Sequence, residues 1–312
     1  MKHAIDTGPA RKSIPPERAA GRPVKTPAKV ITKQPTLADT DLSGNRSHVG
    51  RRLILFTCSE SGHEVVPFTA TPAFTPIPSW SEQDESQIRQ IVEDDITLAD
   101  LVERAPIRFD DERSHAEEII DILFPSDPLL CVAKSSYDFR TRRRSTWRGH
   151  LHRLPLIVPN PMLDIIGHTV EGRLSEHTKE KTARRVYLVV DFDFAEFGRD
   201  GKTPSRWAPL VREWRSQDKA IADVCAALLL HLAERLALVC VTHSGGKSLH
   251  GWFRASNKTE RELRRFMEYA VTLGADHATW TRSQFVRIPD GLRENGKRQL
   301  CYYLDPGKAV KL

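Results

Sequence analysis

No stretch of this 312-residue chain approaches the roughly 18 consecutive apolar residues of a membrane-spanning helix, and its N-terminus lacks the hydrophobic core of a secretion signal. These absences exclude a helical membrane protein and point to the cytoplasm. Cysteine is scarce: five copies, at Cys58, Cys131, Cys225, Cys240 and Cys301, form no C-x-x-C pair. A disulfide scaffold is therefore excluded, and the pattern fits free thiols in a reducing compartment. The Cys240-x-x-His243 spacing has no second pair nearby to complete a zinc site. Internal repeats are missing, and so is a P-loop. Gly245-Gly246-Lys247-Ser248 ends like one, but position 241 is Val where the motif needs Gly, and the residues after Ser248 alternate like a strand.

Charge is present in blocks. The formal net charge of +6 leans toward an anionic partner. Residues 81–125 carry fourteen Asp or Glu against four Arg, a net of −10, whereas residues 140–185 carry eleven Arg or Lys against four acids, a net of +7. The basic block holds Arg140, Arg142, Arg143, Arg144, Trp147 and Arg148. Such a cluster suits the backbone of single-stranded nucleic acid, with Trp147 as a base-stacking candidate; the plain alternatives are a solvated surface and a core tryptophan. The acidic block has two placements open to it, a helical accessory beside the core or a shield over the basic cleft.

Three regions follow from composition and pattern. Residues 1–50, rich in Pro, Lys, Arg, Thr and Ser, lack the apolar content to offset ordering entropy and read as a disordered basic tail. Residues 51–125 read as an extension: a hairpin from LILFTC and EVVPFTA, then helices over 81–92, 97–104 and 115–124. Residues 126–312 alternate strand and helix. Strands are expected at PLLCVA and LPLIVP, over 185–193 as a central strand, and over 238–242 and 249–254. A helix over 217–236 carries an apolar stripe from Ile221 to Leu236, another starts at a Ser256 or Asn257 cap and stops at Gly274, and a hairpin of 284–288 with 299–304 turns at Pro289-Asp290-Gly291. The class is α/β (α+β), a mostly antiparallel sheet with flanking helices.

Three motifs carry the chemistry. Asp191 and Asp193, two residues apart on a strand, point to one side, and hard divalent cations such as Mg²⁺ or Mn²⁺ want such oxygen ligands. The Ser244-Gly245-Gly246-Lys247-Ser248 turn followed by His250 offers backbone N–H groups, an ammonium and an imidazole to a triphosphate. Asp276 follows a helix-ending glycine, and Arg287 stands in a strand-like Phe-Val-Arg-Ile-Pro, where a guanidinium suits bidentate phosphate contact.

Taken together, Asp191-Phe192-Asp193, Ser248-Leu249-His250, Ala275-Asp276 and the basic Arg287 resemble the archaeo-eukaryotic primase superfamily, in the form carried by bacterial plasmids, phages and other mobile elements. The resemblance covers residues 186–304 and implies an RRM-like antiparallel fold and a DNA primase or primase-polymerase. It implies that Asp191, Asp193 and Asp276 hold two Mg²⁺ or Mn²⁺ ions, and that Ser244, Gly245, Gly246, Lys247, Ser248, His250 and Arg287 bind the incoming NTP or dNTP. Single-stranded DNA is the implied template, with a separate helicase or replication initiator as further partners. Two other readings compete. His150-Leu151-His152 is similar to the paired histidines of rolling-circle nucleases, with Tyr302 or Tyr303 as nucleophile; and a non-catalytic nucleic-acid-binding protein would keep the basic block while needing no acidic triad. Deleting residues 1–50 is expected to leave melting temperature and metal-dependent activity in place while weakening nucleic-acid affinity at low salt. A melting temperature many degrees lower would make the tail structural.

Overall fold

The structure, a computed structural model, describes residues 79–310 apart from 111 and 199. The tail expected over 1–50 and the hairpin expected from LILFTC and EVVPFTA, Cys58 included, lie outside the described residues. In chain order the elements are helices α1 (Glu85–Val92), α2 (Leu98–Glu103) and α3 (Ala116–Leu123), then strands β1 (Leu129–Ala133), β2 (Phe139–Arg143), β3 (Leu156–Ile157), β4 (Gly167–His168), β5 (Leu174–Ser175) and β6 (Tyr187–Phe192). Helices α4 (Ala208–Ser216) and α5 (Ile221–Ala233), strands β7 (Leu238–His243) and β8 (Leu249–Arg254), helix α6 (Glu260–Thr272) and strands β9 (Val286–Arg287) and β10 (Cys301–Leu304) complete the fold. The fold is mixed α/β, and every strand pairing among the described residues is antiparallel. One four-stranded sheet has the order β10-β7-β8-β6 and a second the order β2-β1-β3-β9, with β4-β5 as a small ribbon.

Side-chain alternation stacks these parts. Leu188, Val190 and Phe192 of β6 enter a core shared with all the α-helices except α3, while Tyr187 and Val189 enter the opposite core, shared with α3 and with Leu130, Val132, Ile157 and Val286 of the second sheet. Burial on both faces explains why β6 reads as a continuous apolar run. That run predicts a central strand, yet β6 is an edge strand, and its outer edge is covered by other means. Asn160 Oδ1 accepts from the Val186 and Tyr187 amides at 2.7 and 3.2 Å, and the Asp276 amide donates to the Asp191 carbonyl at 2.9 Å.

Several boundaries move for identifiable reasons. Helix α6 starts at a Thr259 cap, not at Ser256 or Asn257, because Thr259 and Glu262 form a reciprocal capping box. The helix expected over 217–236 is α5 alone, shorter at both ends: residues 217–220 link it to α4, and Asp218, with a φ of +57°, turns the chain there. Helix α5 is buried nearly all round, since α1 and α2 cover the side that the stripe leaves polar-facing. The Arg-rich 139–143 segment is itself a strand; β2 pairs with β1 over five residues at an edge, where long charged side chains can leave the sheet. The expected C-terminal hairpin does not form as such, because β9 joins β3 and β10 joins β7. The chain instead reverses at Arg293–Lys297, where the Arg293 amide donates to the Lys297 carbonyl at 2.9 Å. Nor does a domain boundary fall at 125: helices α1 to α3 are built into the same two cores as the later strands.

Gly251 marks the closest approach of helix to sheet. A Cβ there would lie 2.4 Å from Leu229 Cδ2 on α5 and 3.0 Å from Phe253 Cε2. Gly251→Ala is expected to destabilise the fold by about 1–3 kcal/mol through overpacking. Urea unfolding should show the Gly251→Ala/Leu229→Ala double variant less destabilised than the sum of the two single variants.

Candidate functional site

Segments far apart in sequence close around one cavity of about 690 Å³ at the end of β6, between the two sheets. Asp191 and Asp193 reach it from β6 and the residues just after, Ser244, Gly246, Lys247 and Ser248 from the β7–β8 turn, His250 from β8, and Arg287 from β9. Asp276 joins them although 83 residues separate it from Asp193. Its place is set by the bond from its amide to the Asp191 carbonyl and by its role as cap of the 3-10 turn His277–Trp280, in which Asp276 Oδ1 accepts from the Ala278 amide at 2.9 Å.

The strand register sets the rest. Asp191 stands directly opposite His250 on β8, and His250 opposite Thr242 on β7. His250 Nε2 lies 3.5 Å from Asp191 Oδ1. Burial pushes the His250 imidazole down to about 3, helped by the charge of Arg287, so at neutral pH it is uncharged. Burial raises the Asp191 carboxyl to about 7, the Ser248 hydroxyl works against the rise, and the neighbouring Asp276 adds to it. Asp193 is raised as well, by burial and then by Asp191. Asp191 and His250 thus meet as a poised acid and a neutral ring, not as an ion pair. Asp191 Oδ1 and His250 Nδ1 are both buried without a hydrogen-bond partner.

An orphaned carboxylate oxygen beside two further carboxylates has the donor chemistry that a hard divalent cation takes. Asp276 uses only Oδ1 on the Ala278 amide. As the side chains stand, no group of three His, Cys, Asp or Glu among the described residues is gathered to hold an ion.

The β7–β8 turn is held from within. The Ser244 amide donates to the Ser248 carbonyl at 2.9 Å, and Ser244 Oγ accepts from the Ser248 amide at 3.2 Å. Gly245, expected to approach a ligand, does not line the cavity; its φ of +71° makes the turn, and its amide donates to His243 Nδ1 at 3.3 Å. Gly246 and Lys247 remain exposed at the rim. Arg293, which the sequence reading did not single out, donates from Nη1 to the Ser244 carbonyl at 3.1 Å and lines the cavity beside Arg287. Phe197 and Trp207, from the connection after β6, were also missed. An arginine in a polar turn and aromatics in a loop carry no periodic signal that would have found them.

The basic block lies elsewhere. None of its six residues lines the cavity. Arg144 is buried, its side chain only 2% exposed, with Nη2 at 3.2 Å from Glu117 and 2.9 Å from Asp121 of α3. It is a structural residue and cannot grip a template. Trp147 packs against the second core and donates from Nε1 to the Leu130 carbonyl at 3.2 Å, so its ring is not a free stacking platform. Arg148 pairs with Asp121 at 3.2 Å, Arg142 with Glu176 at 2.7 Å, and Arg143 donates to the Asp127 carbonyl at 3.3 Å; Arg140 stays exposed, 4.0 Å from Glu176. The acidic helix therefore neutralises part of the basic block inside the fold. His150 and His152 flank Leu151 at a 3-10 turn and do not line the cavity. Comparison with protein-family models, curated proteins and solved structures finds no match to this chain.

The raised Asp191 has a stability consequence. Its folded value of about 7 against an ordinary 3.8 means that its contribution is fully present below 3.8 and is lost as pH rises through 7. In chelator, Asp191→Asn is expected to be more stable than the wild type, with a gap that widens from pH 5 to pH 8 to about 1–3 kcal/mol. The side chain is 19% exposed, which keeps the figure below the full shift. Thermal melts across that range decide it, and a gap independent of pH would count against a protonated Asp191.

Proposed function

We propose that this cavity binds a nucleoside triphosphate with divalent cations and joins nucleotides on a single-stranded DNA template, as a DNA primase or primase-polymerase. The observation that carries the reading is the meeting, in one cavity, of Asp191, Asp193 and Asp276 with the Lys247–Ser248 turn, His250 and Arg287. The antiparallel β10-β7-β8-β6 sheet, with every α-helix but α3 on one face, is of the kind that the resemblance to the archaeo-eukaryotic primases implies.

The residues divide the work by charge. Lys247, exposed and mobile on its stem, offers an ammonium to the phosphates, and Arg287 offers a planar fork whose charge is permanent. His250, neutral and buried, donates at most one N–H, and Ser248 brings a hydroxyl next to it. Asp191, Asp193 and Asp276 would hold Mg²⁺ or Mn²⁺, which would activate the attacking 3′-hydroxyl and offset charge on the departing pyrophosphate. Asp191 would have to lose its proton to serve as a ligand, so cation affinity should weaken as pH falls. A nuclease built on His150 and His152 gains no support, since Tyr303 is buried and Tyr302 packs against the first core.

Primer-extension and de novo synthesis assays with separate NTP and dNTP pools, in Mg²⁺ or Mn²⁺, test the reading. Template-dependent product that disappears in Asp191→Asn/Asp193→Asn is the expected result, and no product under any condition overturns it. Lys247→Ala and His250→Ala are each expected to lower triphosphate affinity by one to two powers of ten, about 1.5–3 kcal/mol. His250 is buried, so its variant also lowers the melting temperature, whereas exposed Lys247 leaves it unchanged. Nucleotide titration beside a melt separates the two effects.

A further inference from the structure

A second groove, about 300 Å³, shares Leu156, Arg287 and Arg293 with the cavity and runs between the β1–β2 turn and the turn at Arg293–Lys297. Lys134 and Ser135 form its far wall, and the lining carries three cations, Lys134, Arg287 and Arg293, against one acid, Glu294, with Pro155 and Leu156 between them. The side chains of Lys134 and Arg287 make no hydrogen bond or ion pair with the described residues, and a half-buried guanidinium that feels Asp191 only across the cavity can take an anion. At the tip of the same β1–β2 turn, Tyr137 is 94% exposed. The turn itself is held by the Lys134 amide, which donates to the Asp138 carbonyl at 2.8 Å, so the tyrosine stands on a braced support.

We propose that this groove carries the single-stranded polynucleotide to the cavity, with Lys134 and Arg293 on its phosphates and Tyr137 stacked on an unpaired base. The proposal rests on the nucleotidyl-transfer reading of the adjoining cavity. Three observations favour a polynucleotide over a second small anion. The groove abuts the cavity at Arg287, which stands between strand and triphosphate. None of its cations is in ion-pair contact with a carboxylate and Arg293 is held by the Ser244 carbonyl alone, whereas most of those in the Arg140–Arg148 block are engaged by carboxylates or carbonyls. Tyr137 stands exposed on the same turn as Lys134, and an aromatic together with cations is the combination by which single strands are held without sequence preference. Asp138 and Glu294 oppose the cations and limit the attraction, so affinity should fall with salt along the shallow slope that a few phosphate contacts give.

The test is anisotropy of a labelled oligothymidylate with the full chain, in parallel with nucleotide titration and a melt. Lys134→Glu and Tyr137→Ala are each expected to weaken oligonucleotide binding by about tenfold at low salt, with melting temperature and triphosphate affinity unchanged. The slope of log affinity against log salt should become shallower by about 0.7 for Lys134→Glu. Arg140→Glu/Arg148→Glu should change affinity several-fold less. If the wild type binds the oligonucleotide and both groove variants bind it equally well, or if triphosphate binding falls in step, the groove proposal is overturned while the transfer reading stands. If the wild type binds no oligonucleotide at low salt, both fall.

Discussion

The hydrogen bond from the Asp276 amide to the Asp191 carbonyl brings the late acid to the early pair, and much of the cavity depends on it. An edge strand presents unpaired backbone groups, and β6 has its edge met by the chain returning from α6. That return is tight. Gly274 adopts a φ of +98°, and a Cβ there would lie 2.9 Å from the Phe194 ring, so no larger residue could turn the chain at that point without displacing Phe194. The far end of the 3-10 turn is fixed too: the Arg185 guanidinium stacks 4.1 Å from the Trp280 ring and donates from Nη2 to the Trp280 carbonyl at 2.5 Å. With both ends held, Asp276 has little freedom to move away from Asp191, and the resulting repulsion is one cause of the elevated Asp191 acid.

The distribution of charge matters more than its sum. Blocks of −10 and +7 in the sequence look like two opposing surfaces, but α3 places Glu117 and Asp121 against Arg144 and Arg148, so part of each block cancels the other within the fold. Arg144, which makes the most buried of these contacts, trades a solvated guanidinium for packing and two carboxylates. The cations left without carboxylate partners include Lys247, Arg287 and Lys134, all along the cavity and its adjoining groove.

Much of this architecture was legible in the chain. A continuous apolar run located β6 and alternation located β8, and the face assignment of Asp191 apart from Leu188, Val190 and Phe192 followed from the period of two. Helices α1 to α3 were legible from their stripes and caps. What escaped depends on partners distant in sequence. The edge position of β6, the separation of β9 from β10 into different sheets, and the full burial of α5 are decided by which elements pack together, and local pattern does not encode that. The same cause hid the engagement of the basic block. A run of arginines reads as exposed until the carboxylates of α3 are set against it.

The cavity walls belong to two sheets whose strands do not pair with each other among the described residues. Each sheet is stiffened by its own ladder of directional bonds, whereas the seam between them is apolar packing joined by a few side-chain ties such as Asn160 to Val186 and Tyr187. Packing of this kind is non-directional, so two surfaces can slide a little against each other at less cost than breaking a ladder. In mechanical terms the site is a vice: two rigid jaws on a compliant seam, with the acids and the β7–β8 turn on one jaw and Arg287 on the other, so that the width of the gap can follow what is held in it.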